Sequence, residues 1–333
     1  MKKIVLLAFS MLLVSCSSFL NSKPASALQH TLVKNSCADA LWSRNDVTVF
    51  IDDNMPMLAS GPNRIIVSGI QPKKLYAFDS VAGKLVWEQD NVLPDTLAVN
   101  NLVLYMTNLN NVQAYDIMSG NNIWNVQLPS SDVFTSLNFL EDRMFAYSSN
   151  GGFFILDANG KILESKGPNL YPMPYIVGDV TYAGNNKGII AFDTITEKTI
   201  WQINVRGPFY SGLYFLDDAI YFRTGGSTVP GKVYAFSKNT GELLWKYDSD
   251  AISNVYGVGP NLYFLDLDGY LIGVDRKTGL QVAKLEFSPR PFMLPTAGLF
   301  IGGYYVTGDS LNNVLIVSIG DSSQLFALQI KNQ

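Results

Sequence analysis

The chain has 333 residues, and its formal net charge of −4 provides no basic field for nucleic acid. Apolar residues make up 47% and charged residues 16%, so the chain can bury a core and is not intrinsically disordered. Aromatic residues at 12% and 27 glycines favour strands and tight turns over solvated helices. One histidine and two cysteines do not suffice for a soft-metal site, and we predict no metal and no cofactor.

The N-terminus has the features of an export signal. Two lysines precede the apolar run 4–13, which is too short to span a membrane. The run ends in Leu-Val-Ser-Cys at 13–16, which resembles the lipobox of bacterial lipoproteins. The resemblance implies cleavage between Ser15 and Cys16, lipid on Cys16, and, because Ser17 follows rather than Asp, transfer to the outer membrane. The alternative is a secreted protein with a chance cysteine.

The segment after the signal is predicted to be a tether. Residues 17–36 are rich in Ser, Ala and Asn, so we divide the chain into a signal peptide (1–15), a lipidated tether (16–39) and one domain (40–333). Leu28, Leu32, Cys37 and Leu41 recur near helical spacing, so the second half of the tether could form a short docked helix. For Cys37 we expect burial, with an intermolecular disulfide as the alternative.

A unit of about 40 residues recurs through the domain. Six apolar segments end at equivalent positions, which are Asp79, Asp116, Asp157, Asp193, Ser237 and Asp275. In the clearest copies a glycine follows four residues later and a tryptophan eight residues later, as in Asp79, Gly83 and Trp87. Spacings of 36–44 residues are typical of propeller blades.

Each unit has the composition of four short strands. In residues 96–128, apolar segments are separated by Asn-rich and Gly-containing turns, which predicts a four-stranded antiparallel blade. The aspartate can accept hydrogen bonds from turn amides, and the glycine permits a positive φ. The tryptophan falls on the next strand, where we expect it to cover the joint between neighbouring blades.

The pattern Ala-x-Asp-x-x-(Thr/Ala/Ser)-Gly-x-x-x-Trp, clearest at 77–87, 114–124 and 235–245, resembles the PQQ-like (quinoprotein-type) repeat. The resemblance implies an all-β propeller, in a family that contains both dehydrogenases and proteins without a cofactor. A lipobox ahead of such repeats resembles the BamB family of outer-membrane β-barrel assembly lipoproteins, whose members are typically longer and eight-bladed. This implies a non-catalytic periplasmic scaffold that binds envelope proteins. The alternative is a structural subunit of another envelope complex, such as a secretion system.

The C-terminus supplies a seventh unit. Gln324–Gln329 matches the third strand of the repeat, but the chain ends soon afterwards, and Ala40-Leu-Trp42 resembles the missing fourth strand. We therefore predict seven blades, with eight possible, in a ring closed by an N-terminal strand. A competing alignment makes Asn313–Ser318 the third strand and Phe326 the tryptophan equivalent.

The sequence contains no clustered set of catalytic residues. A quinone-dependent dehydrogenase needs calcium ligands and an acidic base, and no such cluster is evident, so this function is a remote alternative. Asp266–Gly269 imitates the start of a calcium loop but lacks the later acidic ligand, which predicts a hairpin turn.

Partner binding is predicted in loops on the rigid ring. The unusual loops are 224–232 and 288–296, and the second carries Arg290, Phe292 and Met293 between prolines. These residue types are enriched at interfaces, so we predict that they bind a protein partner. Core packing of this segment, or an edge strand that accepts a partner strand, are the alternatives.

Overall fold

The computed structural model describes residues 31–32, 37–47, 58–69, 72–140, 142–150, 152–166, 174–185, 188–205, 213–224, 231–288, 304–319 and 324–331. Regular secondary structure in these ranges is entirely β-strand. None of these ranges contains a helix that is long and apolar enough to cross a membrane. The strands form seven antiparallel sheets, which are the blades of a propeller, so the predicted all-β class and blade number are confirmed.

The 29 strands of the described ranges are numbered in chain order. They are β1 (Thr31–Leu32), β2 (Ala38–Arg44), β3 (Leu58–Gly61), β4 (Arg64–Gly69), β5 (Lys74–Asp79), β6 (Leu85–Asp90), β7 (Thr96–Asn100), β8 (Val103–Asn108), β9 (Asn111–Asp116), β10 (Asn122–Gln127), β11 (Phe134–Leu140), β12 (Arg143–Ser148), β13 (Phe153–Asp157), β14 (Ile162–Lys166), β15 (Tyr175–Val177), β16 (Val180–Asn185), β17 (Gly188–Asp193), β18 (Thr199–Asn204), β19 (Tyr214–Leu216), β20 (Ala219–Arg223), β21 (Gly231–Ser237), β22 (Leu243–Ala251), β23 (Tyr256–Val258), β24 (Asn261–Leu265), β25 (Tyr270–Asp275), β26 (Gln281–Ser288), β27 (Tyr304–Asp309), β28 (Val314–Ile319) and β29 (Gln324–Ile330). Each of blades one to six consists of four consecutive strands, from β3–β6 in blade one to β23–β26 in blade six.

The blades follow the predicted repeat closely. The third strands of blades one to six end at the six positions identified from the repeat. Second strands such as β4 are buried along their whole length because neighbouring blades cover both faces. Fourth strands such as β6 alternate between exposed and half-buried residues because they form the outer edge of the ring.

The antiparallel pairing gives the ring two different ends. The first–second hairpins of all blades and the third–fourth hairpins of blades one to six lie at one end, which we call the hairpin end. The second–third turns and the connections between blades lie at the opposite end, which we call the connection end.

Blade seven closes the ring with strands from both ends of the chain. Its order is β27-β28-β29-β2, with Ala40 opposite Leu328 and Trp42 opposite Ala327, so the predicted closure is confirmed. The competing alignment is wrong, because β28 is the second strand and Phe326 lies in the third.

The short docked helix that the spacing allowed does not form at Leu32 or Leu41, since both residues lie in strands. The backbone N–H and C=O groups at the outer edges of β26 and β29 pair with this segment as strands. This strand pairing overrides a weak helical spacing.

Tryptophans join most neighbouring blades. In each case the indole of one fourth strand packs on the hairpin glycine of the next blade, and its Nε1 donates to a carbonyl of that hairpin at 2.9–3.2 Å. A Cβ added to these glycines would lie 2.6–2.9 Å from the ring, so only glycine fits. The pairs are Trp42–Gly83, Trp87–Gly120, Trp124–Gly160, Trp201–Gly241 and Trp245–Gly279. The predicted role of the tryptophans is confirmed.

Two joints lack this arrangement. Between blades three and four, Glu164 occupies the tryptophan position and Glu197 replaces the glycine while keeping a φ of +57°. Between blades six and seven, Ala283 occupies the tryptophan position, and blade seven has no third–fourth hairpin because its fourth strand comes from the N-terminus. A side chain is thus tolerated at the hairpin position where no indole covers it.

Candidate interaction surfaces

The carboxylates of the hairpins hold their own turns. In three hairpins the aspartate Oδ1 accepts hydrogen bonds at 2.7–2.8 Å from the hydroxyl and the amide of the residue three positions later. These hydrogen bonds lower the pKa of Asp116, Asp193 and Asp275. The role of these carboxylates is therefore turn formation.

Exposed apolar side chains are concentrated at the hairpin end. Among the described residues, 14 large apolar side chains are exposed, and all except Leu109 lie in the hairpins or at the adjoining start of fourth strands. Ile195, in the hairpin of blade four, is 82% exposed. We define the aliphatic rim as five exposed residues, one in each of blades one to five, each of which directly precedes the tryptophan position. They are Val86, Ile123, Leu163, Ile200 and Leu244.

The aliphatic rim arises from a repeated β-bulge. In blade one, Ala77 is opposite Trp87 and Phe78 is opposite Leu85, so Val86 has no partner across the ladder. The same interruption occurs in the other four blades of the rim. A bulge turns the extra residue away from regular pairing, and here it leaves an aliphatic side chain 43–52% exposed. Sequence reasoning did not identify the rim, although an aliphatic residue before each tryptophan was the available signal.

Several predicted site residues lie outside the described part of the chain. Ser15 and Cys16 belong to this group, as do Arg290, Phe292 and Met293. The last three lie in the connection between β26 and β27, which joins blades six and seven. Of the other unusual loop, only the base is described, where the Thr224 amide donates to the Lys232 carbonyl at 3.0 Å.

The first strands of blades four to seven carry tyrosines, and these strands surround the ring axis. Burial raises the pKa of Tyr175, Tyr214 and Tyr256, and that of Tyr305 to about 12, so these phenols are neutral near pH 7. The Tyr256 hydroxyl donates to the Gly308 carbonyl at 2.7 Å and links blades six and seven. Tyr256 thus supplies a hydrogen bond between blades without carrying charge.

The calcium-like sequence is a hairpin turn, as predicted. The Asp266 Oδ1 accepts the Tyr270 amide at 2.8 Å, and Gly269 has a φ of +79°. Burial raises the pKa of Asp266. Within the described ranges, no three or more His, Cys, Asp or Glu side chains are placed to share a metal ion.

The blades, Asp-Gly hairpins and tryptophan joints define a repeat propeller of the PQQ-like type. A sequence model of the family described as "Outer membrane protein assembly factor BamB" matches residues 40–167 and 164–293. The chain therefore belongs to the BamB family.

Individual relatives are distant. The outer membrane protein assembly factor BamB of Shewanella oneidensis is 23% identical in a 268-residue alignment that covers 69% of this chain and 62% of the relative's length. The crystal structure of BamB from Moraxella catarrhalis is 18% identical, covers 92% of this chain and 99% of its own, and has a TM-score of 0.49. The structure of BBS1N in complex with ARL6DN is 14% identical, covers 90% and 99%, and has a TM-score of 0.65, which is a likeness of fold alone.

Proposed function

We propose that the protein is a non-catalytic scaffold, anchored by lipid on Cys16 to the outer membrane with its propeller in the periplasm. In this role it binds protein subunits that assemble outer-membrane β-barrels. The observation that carries the proposal is the match to the assembly-factor family over most of the propeller, together with the lipobox sequence ahead of it. A rigid ring that presents loops at two ends suits a scaffold, because loops on a rigid frame commonly carry recognition.

The lipid anchor can be tested by substitution. Cys16→Ala should abolish acylation and release the protein from the outer-membrane fraction, because several acyl chains on one residue are what makes anchoring stable. Cys37→Ala is the matched control, since it removes the other cysteine and should leave fractionation unchanged. Retention of Cys16→Ala in the outer membrane would place the anchor elsewhere.

The partners can be identified by affinity purification of the tagged full chain from crosslinked cells. Subunits of the barrel-assembly machinery should be recovered. Recovery of secretion-system subunits in their place would support the alternative envelope role and contradict the proposed one.

Arg290, Phe292 and Met293 are proposed to bind the partner. Replacing all three by serine should reduce partner recovery, since a few aromatic and arginine side chains commonly carry most of the binding energy. Ile123→Ser combined with Ile200→Ser is the matched control, because it removes exposed apolar side chains from the hairpin end of the ring. If only the control lowers recovery, the interface is the aliphatic rim.

The absence of catalysis is a separate proposal with its own test. The purified protein, mixed with pyrroloquinoline quinone and calcium, should bind no quinone and oxidise no alcohol or sugar. Calcium-dependent quinone binding would refute the non-catalytic assignment.

A further inference from the structure

The joint between blades six and seven lacks both parts that hold the tryptophan joints. Ala283 stands where the indole would be, and blade seven has no third–fourth hairpin to receive it. The joint nevertheless contains a buried cluster of 16 apolar residues, which includes Ala38 and Ala283. The outer edges of these two blades are therefore open to alignment by another part of the chain.

The segment that precedes the propeller repeat contacts blade six. Thr31 pairs with Ser288 and Leu32 with Phe287, so β1 is a fifth, outermost strand of that blade. The Cys37 thiol donates to the Val282 carbonyl at 3.8 Å. Cys37 is five residues after Leu32 and Val282 is five residues before Phe287, so this contact keeps the same antiparallel register.

The same segment contacts the next two blades. The Lys331 amide donates to the Cys37 carbonyl at 3.0 Å, where β2 begins to pair with β29 of blade seven. Further along β2, Trp42 and Arg44 contact the hairpin of blade one. The Trp42 Nε1 donates to the Ser80 carbonyl, and the Arg44 Nη1 donates to the Gly83 carbonyl, both at 2.9 Å.

We propose that Thr31–Leu32 and Cys37–Arg44 together act as a strap that holds blade six to blade seven in place of the missing tryptophan joint. The strap crosses the joint in one covalent segment and forms ladder hydrogen bonds on both sides. Its loss leaves the outer edges of β26 and β29 without partners, so the joint would be held only by its buried apolar cluster and inner hydrogen bonds.

The strap also determines where a lipid tether meets the propeller, a consequence that rests on the proposed lipidation. Thr31 pairs with the last residue of β26, which lies at the connection end of blade six. If the proposed tether behaves as a coil, its r.m.s. length from Cys16 to Thr31 is roughly 20 Å, against roughly 26 Å if the coil continued to Ala38. Docking of the strap therefore holds blade six nearest to the membrane.

A crosslink tests the register of the strap in the full chain. In a Cys16→Ser, Cys37→Ala background, Thr31→Cys with Ser288→Cys should form a disulfide, because residues directly opposite in a ladder are within reach. Thr31→Cys with Glu286→Cys is the off-register control, since diagonal positions lie too far apart. Equal yields for the two pairs, or no crosslink in the first, would refute the strap.

Hydrogen exchange tests its role in the joint. In the same background without the added cysteines, Leu32→Pro should raise amide exchange in both β26 and β29 at least tenfold, whereas Ser22→Pro should not. Unchanged exchange in β29 would show that the two contacts are independent and overturn the proposal. Both experiments omit Cys16, so their failure is distinguishable from failure of the lipid anchor.

Discussion

Replacing Gly279 by alanine should destabilise the ring more than the same replacement at Gly178. Both glycines have a positive φ, +69° and +56°, so alanine pays about 1–2 kcal/mol of left-handed strain at either position. A Cβ at Gly178 meets open space, whereas a Cβ at Gly279 would lie 2.7 Å from Cδ2 of Trp245. The indole cannot move away without loss of the 2.9 Å bond from its Nε1 to the Arg276 carbonyl.

The expected difference between the two variants is therefore the cost of overpacking at the joint, about 1–3 kcal/mol. Urea unfolding followed by tryptophan fluorescence measures it, with Gly178→Ala as the matched control for backbone strain. Glu197, at a φ of +57° in a hairpin without an indole, shows that the hairpin itself tolerates a side chain. Equal losses of unfolding free energy in the two variants would refute the claim that the indole selects glycine.

The ring closure and the hairpin carboxylates give two further predictions. Asp309→Ala removes the carboxylate that accepts hydrogen bonds from the Asn63 amide at 2.8 Å and the Ser80 hydroxyl at 2.7 Å. The free energy of unfolding, measured in urea, should fall by about 1–3 kcal/mol for each buried donor left without a partner. Asp309→Asn, which keeps an acceptor oxygen, should lose less. Because the folded-state pKa of Asp275 is lowered, its stabilising effect is present above a pH of about 3.9 and is lost as the pH falls through the folded pKa. The urea midpoint of the wild type should thus fall more between pH 5 and pH 3 than the midpoint of Asp275→Ser. Serine is chosen because blade five carries Ser237 at the equivalent position. Equal decreases of the two midpoints would contradict this prediction.

The tryptophan joints show why part of the tertiary structure could be predicted. Each hairpin and the tryptophan that follows it lie within nine residues, from Asp79 to Trp87 for example, so turn chemistry and the position of the indole are local properties. Repetition of the same local pattern implies that each unit meets its neighbour in the same way. The joint between blades three and four is consistent with this, because Glu164 replaces the tryptophan and Glu197 replaces the glycine in the same joint.

The aliphatic rim and the strap required the three-dimensional structure. Exposure of Val86 depends on a bulge and on how far the next blade covers it, and neither is a property of one strand. Partner binding by Arg290, Phe292 and Met293 remains a prediction from residue type.

The sequence by itself predicted seven blades with eight possible, the ends of the third strands and the role of the tryptophans at the joints, because these depend on patterns within one repeat or between similar repeats. It also indicated the closing strand, since the last repeat lacked one. Only the tertiary structure decided the course of the segment before that strand. Thr31 pairs with Ser288, and a weak helical spacing cannot report an edge that is 257 residues away in the chain. The backbone groups at the edge of β26 determine that Thr31–Leu32 forms a strand. These groups belong to blade six, whereas the closing strand β2 belongs to blade seven.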